Sequence, residues 1–254
     1  MSFHGAYRQI LGIRFYSGDV RGALDRMQKG GLLVVPAAPA LKDLAVNASY
    51  REALVNADVA ITDSAFMVMV WNLLEHDSIR RLSGLKYLRA LLQLPEVRHP
   101  GTTFWIMPGL SSAQKNLKWL AGNGITVPHE NVYAAPLYGA QIHDPQLLER
   151  LSSLRPKHIV ITLGGGTQER LGLYLKQGLE YAPAIHCIGA AIAFLSGDQV
   201  RIPAWADRLY LGWLFRCFSA PARYVPRYWE ARKLLPLIVR HRTELPLPPS
   251  REVA

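Results

Sequence analysis

The sequence predicts an α/β fold: a doubly wound, Rossmann-like parallel sheet followed by a C-terminal basic, aromatic helical appendage. Three observations carry this. Short, continuous apolar runs recur from Leu32 to Ile188. Stretches of helical character separate them. After Gly197 the composition changes abruptly toward Arg and Trp. Apolar runs without polar alternation belong to strands covered on both faces, and intervening helices supply the cover.

The predicted strands are Leu32 to Val35, Val59 to Ile61, Thr103 to Met107, His158 to Leu163 and Ala184 to Ile188. The predicted helices are Asp43 to Ala57, Ser111 to Asn123, Pro145 to Leu154 and Gln168 to Leu179. An apolar helix also follows Asp63 in ADVAITDSAFMVMVW. In such sheets ligands sit beyond the carboxyl ends of the strands, so the strand-to-helix loops hold the candidate chemistry. The chain divides into a core (1–197), an appendage (198–242) and a flexible, proline-bearing tail (243–254).

Composition bounds the partners. The chain has 254 residues, half of them hydrophobic, enough for a sizeable core. Its net charge of +10 favours anionic partners: phosphates, acidic lipid headgroups or nucleic acid. Residues 201–242 hold nine Arg and Lys against two acidic residues, +7 of that total, and three of the six Trp. The two cysteines, Cys187 and Cys217, form no CxxC pair, and no histidine spacing matches a metal motif. His158 and His186 fall in strands and read as satisfied core residues. The N-terminal stretch lacks the apolar core of a secretory signal, and no apolar run reaches the roughly 18 residues of a spanning helix. Any membrane contact is therefore expected to be peripheral.

Four constellations stand out. Asp63 follows a strand and precedes a helix, as a helix cap or as a general base that takes a proton from a sugar hydroxyl. The loop Gly164-Gly165-Gly166-Thr167-Gln168-Glu169 opens a helix after a strand. It is a tight turn or an anion cradle, with Gln168 offering an amide and Glu169 favouring the helix dipole. It matches neither GxGxxG nor a Walker A loop. Gly109, in Pro108-Gly109-Leu110-Ser111-Ser112, opens a similar loop in which a serine could simply cap the helix. In the appendage, Trp205, Leu209, Trp213 and Arg216 share one helical face, while Pro221 and Pro226 are expected to break any long helix. Its Trp and Arg residues are either buried anchors on a solvated basic face, or a diphosphate and membrane contact surface.

These segments resemble the WecG/TagA/CpsF family of bacterial glycosyltransferases from about Leu32 to Tyr228. The resemblance rests on Ile188-Gly189-Ala190-Ala191, Phe194, Ser196-Gly197, Arg201, Pro203-Ala204-Trp205, Gly212-Trp213-Leu214, Arg216, Pro221, Arg223, Arg227 and Tyr228. Gln168-Glu169 and Asp63 are similar to two further family motifs. The resemblance implies inverting, metal-independent transfer, with no cofactor, from a UDP-sugar to a polyprenyl-diphosphate-linked sugar in exopolysaccharide or cell-wall polymer synthesis. It implies a peripheral enzyme at the cytoplasmic face of the inner membrane, on an anionic surface. Asp63 would act as base. Gly109, Gly164, Gly165, Gln168, Glu169 and Gly189 would line the donor site. Arg201, Arg208, Arg216, Arg223, Arg227, Trp205 and Trp213 would serve the diphosphate and the membrane. The chain departs from the family at Pro36-Ala37-Ala38 (usually Thr-x-Asn), at Ser64 (usually Gly), at Gly166-Thr167 (usually Pro-Lys) and at Phe215. UDP-glucose or a related sugar is therefore expected beside UDP-N-acetylmannosamine as donor. A non-catalytic membrane adaptor with the same fold is the alternative. Nucleic acid, suggested by charge alone, is not expected as a partner, and a homo-oligomer is left open.

Overall fold

In the computed structural model, residues 6–199 and 212–248 are described, and eight strands form one sheet. β1 (Tyr7–Ile10) and β2 (Ile13–Tyr16) make an antiparallel hairpin. Its turn residues Leu11 and Gly12 have φ of 53° and 73°, as a two-residue hairpin turn of matching twist requires. A Leu in that conformation is strained, but Leu11 is wholly buried, and burial offsets the strain.

The other strands are β3 (Gly31–Val34), β4 (Val59–Ile61), β5 (Thr103–Met107), β6 (Val132–Ala134), β7 (His158–Ile161) and β8 (Ala184–Cys187). They pair in parallel, in the order β1-β2-β4-β3-β8-β7-β5-β6. Alternate residues of one strand enter different core clusters. Phe104 and Ile106 join Ile159, Ile161 and Leu32 on one face, while Trp105 and Met107 join Val160, Leu33 and Ile61 on the other. That two-sided burial makes these strands read as unbroken apolar runs. β5 connects onward to β6 on one side and β7 to β8 on the other, so their carboxyl ends flank a topological switch point.

Helices cover both faces: α1 (Val20–Met27), α2 (Ala38–Leu41), α3 (Ala48–Val55), α4 (Ala65–Glu75), α5 (Gly84–Leu91), α6 (Pro95–Arg98), α7 (Leu110–Gly122), α8 (Pro145–Leu154), α9 (Thr167–Gly178) and α10 (Ala191–Ser196). The helix expected from Asp43 starts at Ala48, because Asn47 caps it by accepting from the Tyr50 amide. His186 is buried with both ring nitrogens engaged, by the Tyr87 hydroxyl (2.9 Å) and by His158 Nδ1 (3.2 Å), as expected of a satisfied core residue. The buried His158 Nε2 makes no hydrogen bond among the described residues and lies 3.4 Å from Glu96 Oε1, which corrects that expectation for His158. Cys187 and Cys217 are both free thiols.

Beyond residue 211 come α11 (Gly212–Ser219), α12 (Pro221–Ala231) and α13 (Leu234–His241). Pro221 opens α12, as the helix-breaking expectation requires, but Pro226 lies inside it. That corrects the expected break at Pro226, whose missing N–H leaves the flanking turns to hold the helix together. α12 packs against α2, and α13 packs against α4. Ala231, Leu234 and Ile238 belong to the same core cluster as Met67, Val70 and Trp71. The chain then returns to the first hairpin. Leu11 N–H donates to the Arg242 carbonyl (2.7 Å) and Gly12 N–H to Thr243 (3.0 Å). The stretch expected to be flexible from Thr243 onward is thus tied down at its start, and Pro246 is buried. Among the described residues no helix is long and apolar enough to cross a membrane.

Candidate active site

Asp63 stands one residue beyond Thr62 at the carboxyl end of β4. It does not cap α4. Ser64 does, accepting from the Met67 amide at 3.1 Å. The polar stretch before α5 turns back across the end of β4, where the Leu82 N–H donates to the Thr62 carbonyl at 3.2 Å. This brings two donors onto Asp63. Its Oδ1 accepts from the Gly84 N–H at 3.0 Å and from Arg81 Nη2 at 3.3 Å, and its carbonyl accepts from Arg81 Nε at 2.6 Å. Among the described residues Oδ2 accepts no hydrogen bond. The side chain is 22% exposed. A carboxylate with one oxygen fixed and the other free of hydrogen bonds among the described residues has the geometry to receive a proton.

Arg81 is a site residue that the sequence reading did not single out. Its signal was the Arg80-Arg81 pair in a polar break followed by a Ser-Gly helix start, with nothing to show that the break folds onto Asp63.

The Gly-rich loop forms a second cluster at the same edge of the sheet. Gln168 and Glu169 are buried, with 2% and 0% exposure. Gln168 Oε1 accepts from the Gly189 N–H at 2.6 Å, and its Nε2 donates to Glu169 Oε1 at 3.1 Å. Glu169 Oε2 accepts from the Gly166 N–H at 2.6 Å. The amide expected to face a sugar or base is therefore turned inward, and so is the Glu169 carboxylate. Together they hold Gly166 and Gly189 in place. Complete burial pushes the Glu169 pKa up to about 7, against the opposing pull of bonds from its own N–H, Gln168 and Gly166.

The two clusters approach one another. A Cβ on Gly84 would lie 3.5 Å from the Ile188 carbonyl, one residue before Gly189. So Asp63, through Gly84, sits near the end of β8, and Gln168 grips that end from the other side. Gly109 lies beyond β7 at the end of β5, with φ of 80° and, among the described residues, nothing within 4 Å of where a Cβ would stand. No serine caps α7. Ser112 instead donates to Asp198 Oδ2 (2.5 Å), whose Oδ1 accepts from Lys115 (2.9 Å). These bonds hold the Asp198 carboxyl below its ordinary range. A cleft of about 360 Å³ opens there, lined among others by Pro108, Ser112, Thr162, Ala190 and Asp198. It sits at the switch point between β5 and β7.

In the appendage, Arg216 lies over the Phe194 ring at 4.4 Å and donates from Nη1 to the Tyr228 hydroxyl at 3.2 Å. Its Nε is buried and makes no hydrogen bond among the described residues. Trp213 packs edge-on against Tyr228, and Arg227 is exposed. Arg201, Trp205 and Arg208 lie outside the described residues, as does the side chain of Arg223.

The model of the Glycosyl transferase WecG/TagA/CpsF family matches residues 8–246. The chain belongs to that family. It is a glycosyltransferase. This glycosyltransferase is also 22% identical over 211 residues to the N-acetylglucosaminyldiphosphoundecaprenol N-acetyl-beta-D-mannosaminyltransferase of Bacillus spizizenii, covering 80% of this chain and 79% of that protein. The enzyme's candidate base, glycine turn and switch-point cleft all lie on the carboxyl edge of its sheet, where its fold class places chemistry.

Proposed function

We propose that this glycosyltransferase moves a hexose from a UDP-sugar onto a polyprenyl-diphosphate-linked sugar, with inversion at the anomeric carbon and Asp63 as general base. The observation that carries the reading is the Asp63 carboxylate, anchored through Oδ1 and, among the described residues, free of hydrogen bonds at Oδ2. An acceptor hydroxyl attacks the anomeric carbon and its proton passes to Asp63. The bond from that carbon to the diphosphate oxygen breaks, and the electron pair leaves with UDP. The relative's name supports a lipid-diphosphate acceptor and makes N-acetylmannosamine the first donor to try, with glucose beside it.

The cleft at the switch point, of a volume usual for small-ligand sites, is the place we assign to the nucleotide. Arg216, Arg223 and Arg227, with Arg201 and Arg208, would neutralise the diphosphate without a metal. Attachment to the cytoplasmic face of the inner membrane is part of the same reading. Phe218 and Trp229 are 79% and 64% exposed on helices that also display Arg227 and Arg232. Aromatic and basic groups together favour an anionic bilayer.

The test is transfer from a panel of UDP-sugars to a polyprenyl-diphosphate-linked sugar in vesicles. Transfer from one donor supports the reading. No transfer across the panel, with UDP left unbound, overturns it.

A further inference from the structure

Gly166 is gripped at both of its backbone polar groups by the first turn of α9. Its N–H donates to Glu169, and its carbonyl accepts from Arg170 Nε at 2.9 Å. Its φ of 90° and ψ of −42° suit glycine alone. Arg170 then reaches a different segment. Its Nη1 donates to the carbonyls of Gly139 (2.9 Å) and Ala140 (2.6 Å), in the loop between β6 and α8. α9 holds that loop at its far end too. The Tyr174 hydroxyl accepts from the Asp144 N–H at 3.1 Å, and Asp144 Oδ2 accepts from Tyr133 and Tyr138 at 2.8 and 2.6 Å. Leu137, just before the first tie, stands fully exposed, and Gln141 and His143 between the ties are exposed, so the loop is fixed without being buried.

The neighbouring glycines indicate what the fixing serves. Gly164 and Gly165 have no positive φ. Among the described residues, a Cβ on Gly164 would meet nothing within 4 Å, and one on Gly165 only ordinary contact with Ala40. Neither backbone conformation nor packing against the described residues explains glycine at these two positions. Close approach of a ligand to the backbone does.

We propose that Arg170 is a positioning residue for the donor. It sets the Gly164–Gly166 turn and fixes residues 139 and 140 beside it, so that the two segments form one preformed rim. The inference rests on the reading of Gly164 and Gly165 as donor-lining residues, two and three positions beyond Thr162 of the cleft assigned to the nucleotide. The guanidinium fork is what permits it, because Nε and Nη1 serve separate elements at once and a lysine ammonium reaches only one.

The experiment uses the full chain: wild type, Arg170→Ala and Arg170→Lys. UDP binding is titrated calorimetrically, donor KM and kcat are measured, and hydrogen exchange is followed over residues 136–143 and 163–167. Arg170→Ala should weaken UDP binding and raise donor KM by about tenfold, as loss of one well-made hydrogen bond would, with kcat within about twofold. Exchange should rise in both segments together, and Arg170→Lys should restore one segment only. Unchanged UDP affinity and KM in Arg170→Ala would sink the proposal and leave the donor site standing, and so would faster exchange confined to 136–143. Failure of the wild type to bind UDP would remove the donor-site reading, and this proposal with it.

Discussion

Asp63→Asn removes basicity and leaves shape. An asparagine oxygen at the Oδ1 position still accepts from Gly84 and Arg81, and an amide replaces only Oδ2. The stability cost is the Asp63–Arg81 ion pair, at 3.3 Å with side chains 22% and 16% exposed. Partly exposed pairs of this kind contribute on the order of 1 kcal/mol or less. For a chain of this size that is a melting shift of about 2–4 °C. The chemical cost is far larger. Losing a positioned general base typically slows the step by about 10²–10⁴, or roughly 3–5 kcal/mol of barrier. The two effects are therefore separable by measuring initial transfer rates in vesicles beside a thermal melt. A fall in kcat of at least about a hundredfold, with donor KM and melting nearly unchanged, is expected. A variant that transfers within about threefold of the wild-type rate would remove Asp63 as the base.

Glu169 gives a pH signature. Its folded-state pKa of about 7 lies above its ordinary 4.5, so the protonated form favours the fold. The stability it contributes is full at low pH, declines as pH rises from about 4.5 to about 7, and is level above. The unfolding free energy of wild type minus that of Glu169→Gln should fall across that window, and a difference that stays constant would contradict the assignment. Ile238→Ala, at a wholly buried position on α13, should cost about 2–5 kcal/mol in urea unfolding, and a loss below about 1 kcal/mol would show that α13 is not part of the core. Replacing exposed Phe218 and Trp229 together by Ala should reduce sedimentation with anionic vesicles while leaving the melt in place. Unaltered sedimentation would move the membrane contact elsewhere.

The parallel strands were legible because both faces are covered: Thr103–Met107 and His158–Ile161 are buried at every position. The first hairpin was not. Each of its strands carries an arginine, Arg8 and Arg14, and its Leu-Gly turn lacks the usual Asn or Asp signal. Arg8 is accommodated by Asp77, 69 residues away at 2.5 Å, which no local pattern announces. Strand β6 has three half-buried residues and gives no periodicity to detect. At the site, Asp63 and the glycine turn followed from their places after strands. The inward turn of Gln168 and Glu169 did not, because it depends on α3 packing over α9, which buries a first-turn carboxylate that helix logic alone would leave in water. The ties of Arg81 and Arg170 depend likewise on segments brought together by the fold.

The clasp between the first hairpin and residues 242–245 has a consequence for the order of assembly. Gln9 bonds to the Thr243 carbonyl across 234 residues, and Gly12 lies so close to Leu245 that a Cβ there would stand 2.5 Å from its side chain. A chain emerging from the ribosome has made the hairpin long before its clasp exists. Until Leu234, Ile238 and Leu245 arrive, the core cluster that includes the apolar side chains of the hairpin turn and of α4 lacks part of its cover. The edge of the sheet made first is thus among the last to be sealed, and a stalled nascent chain would present that edge to chaperones or to another unfinished copy.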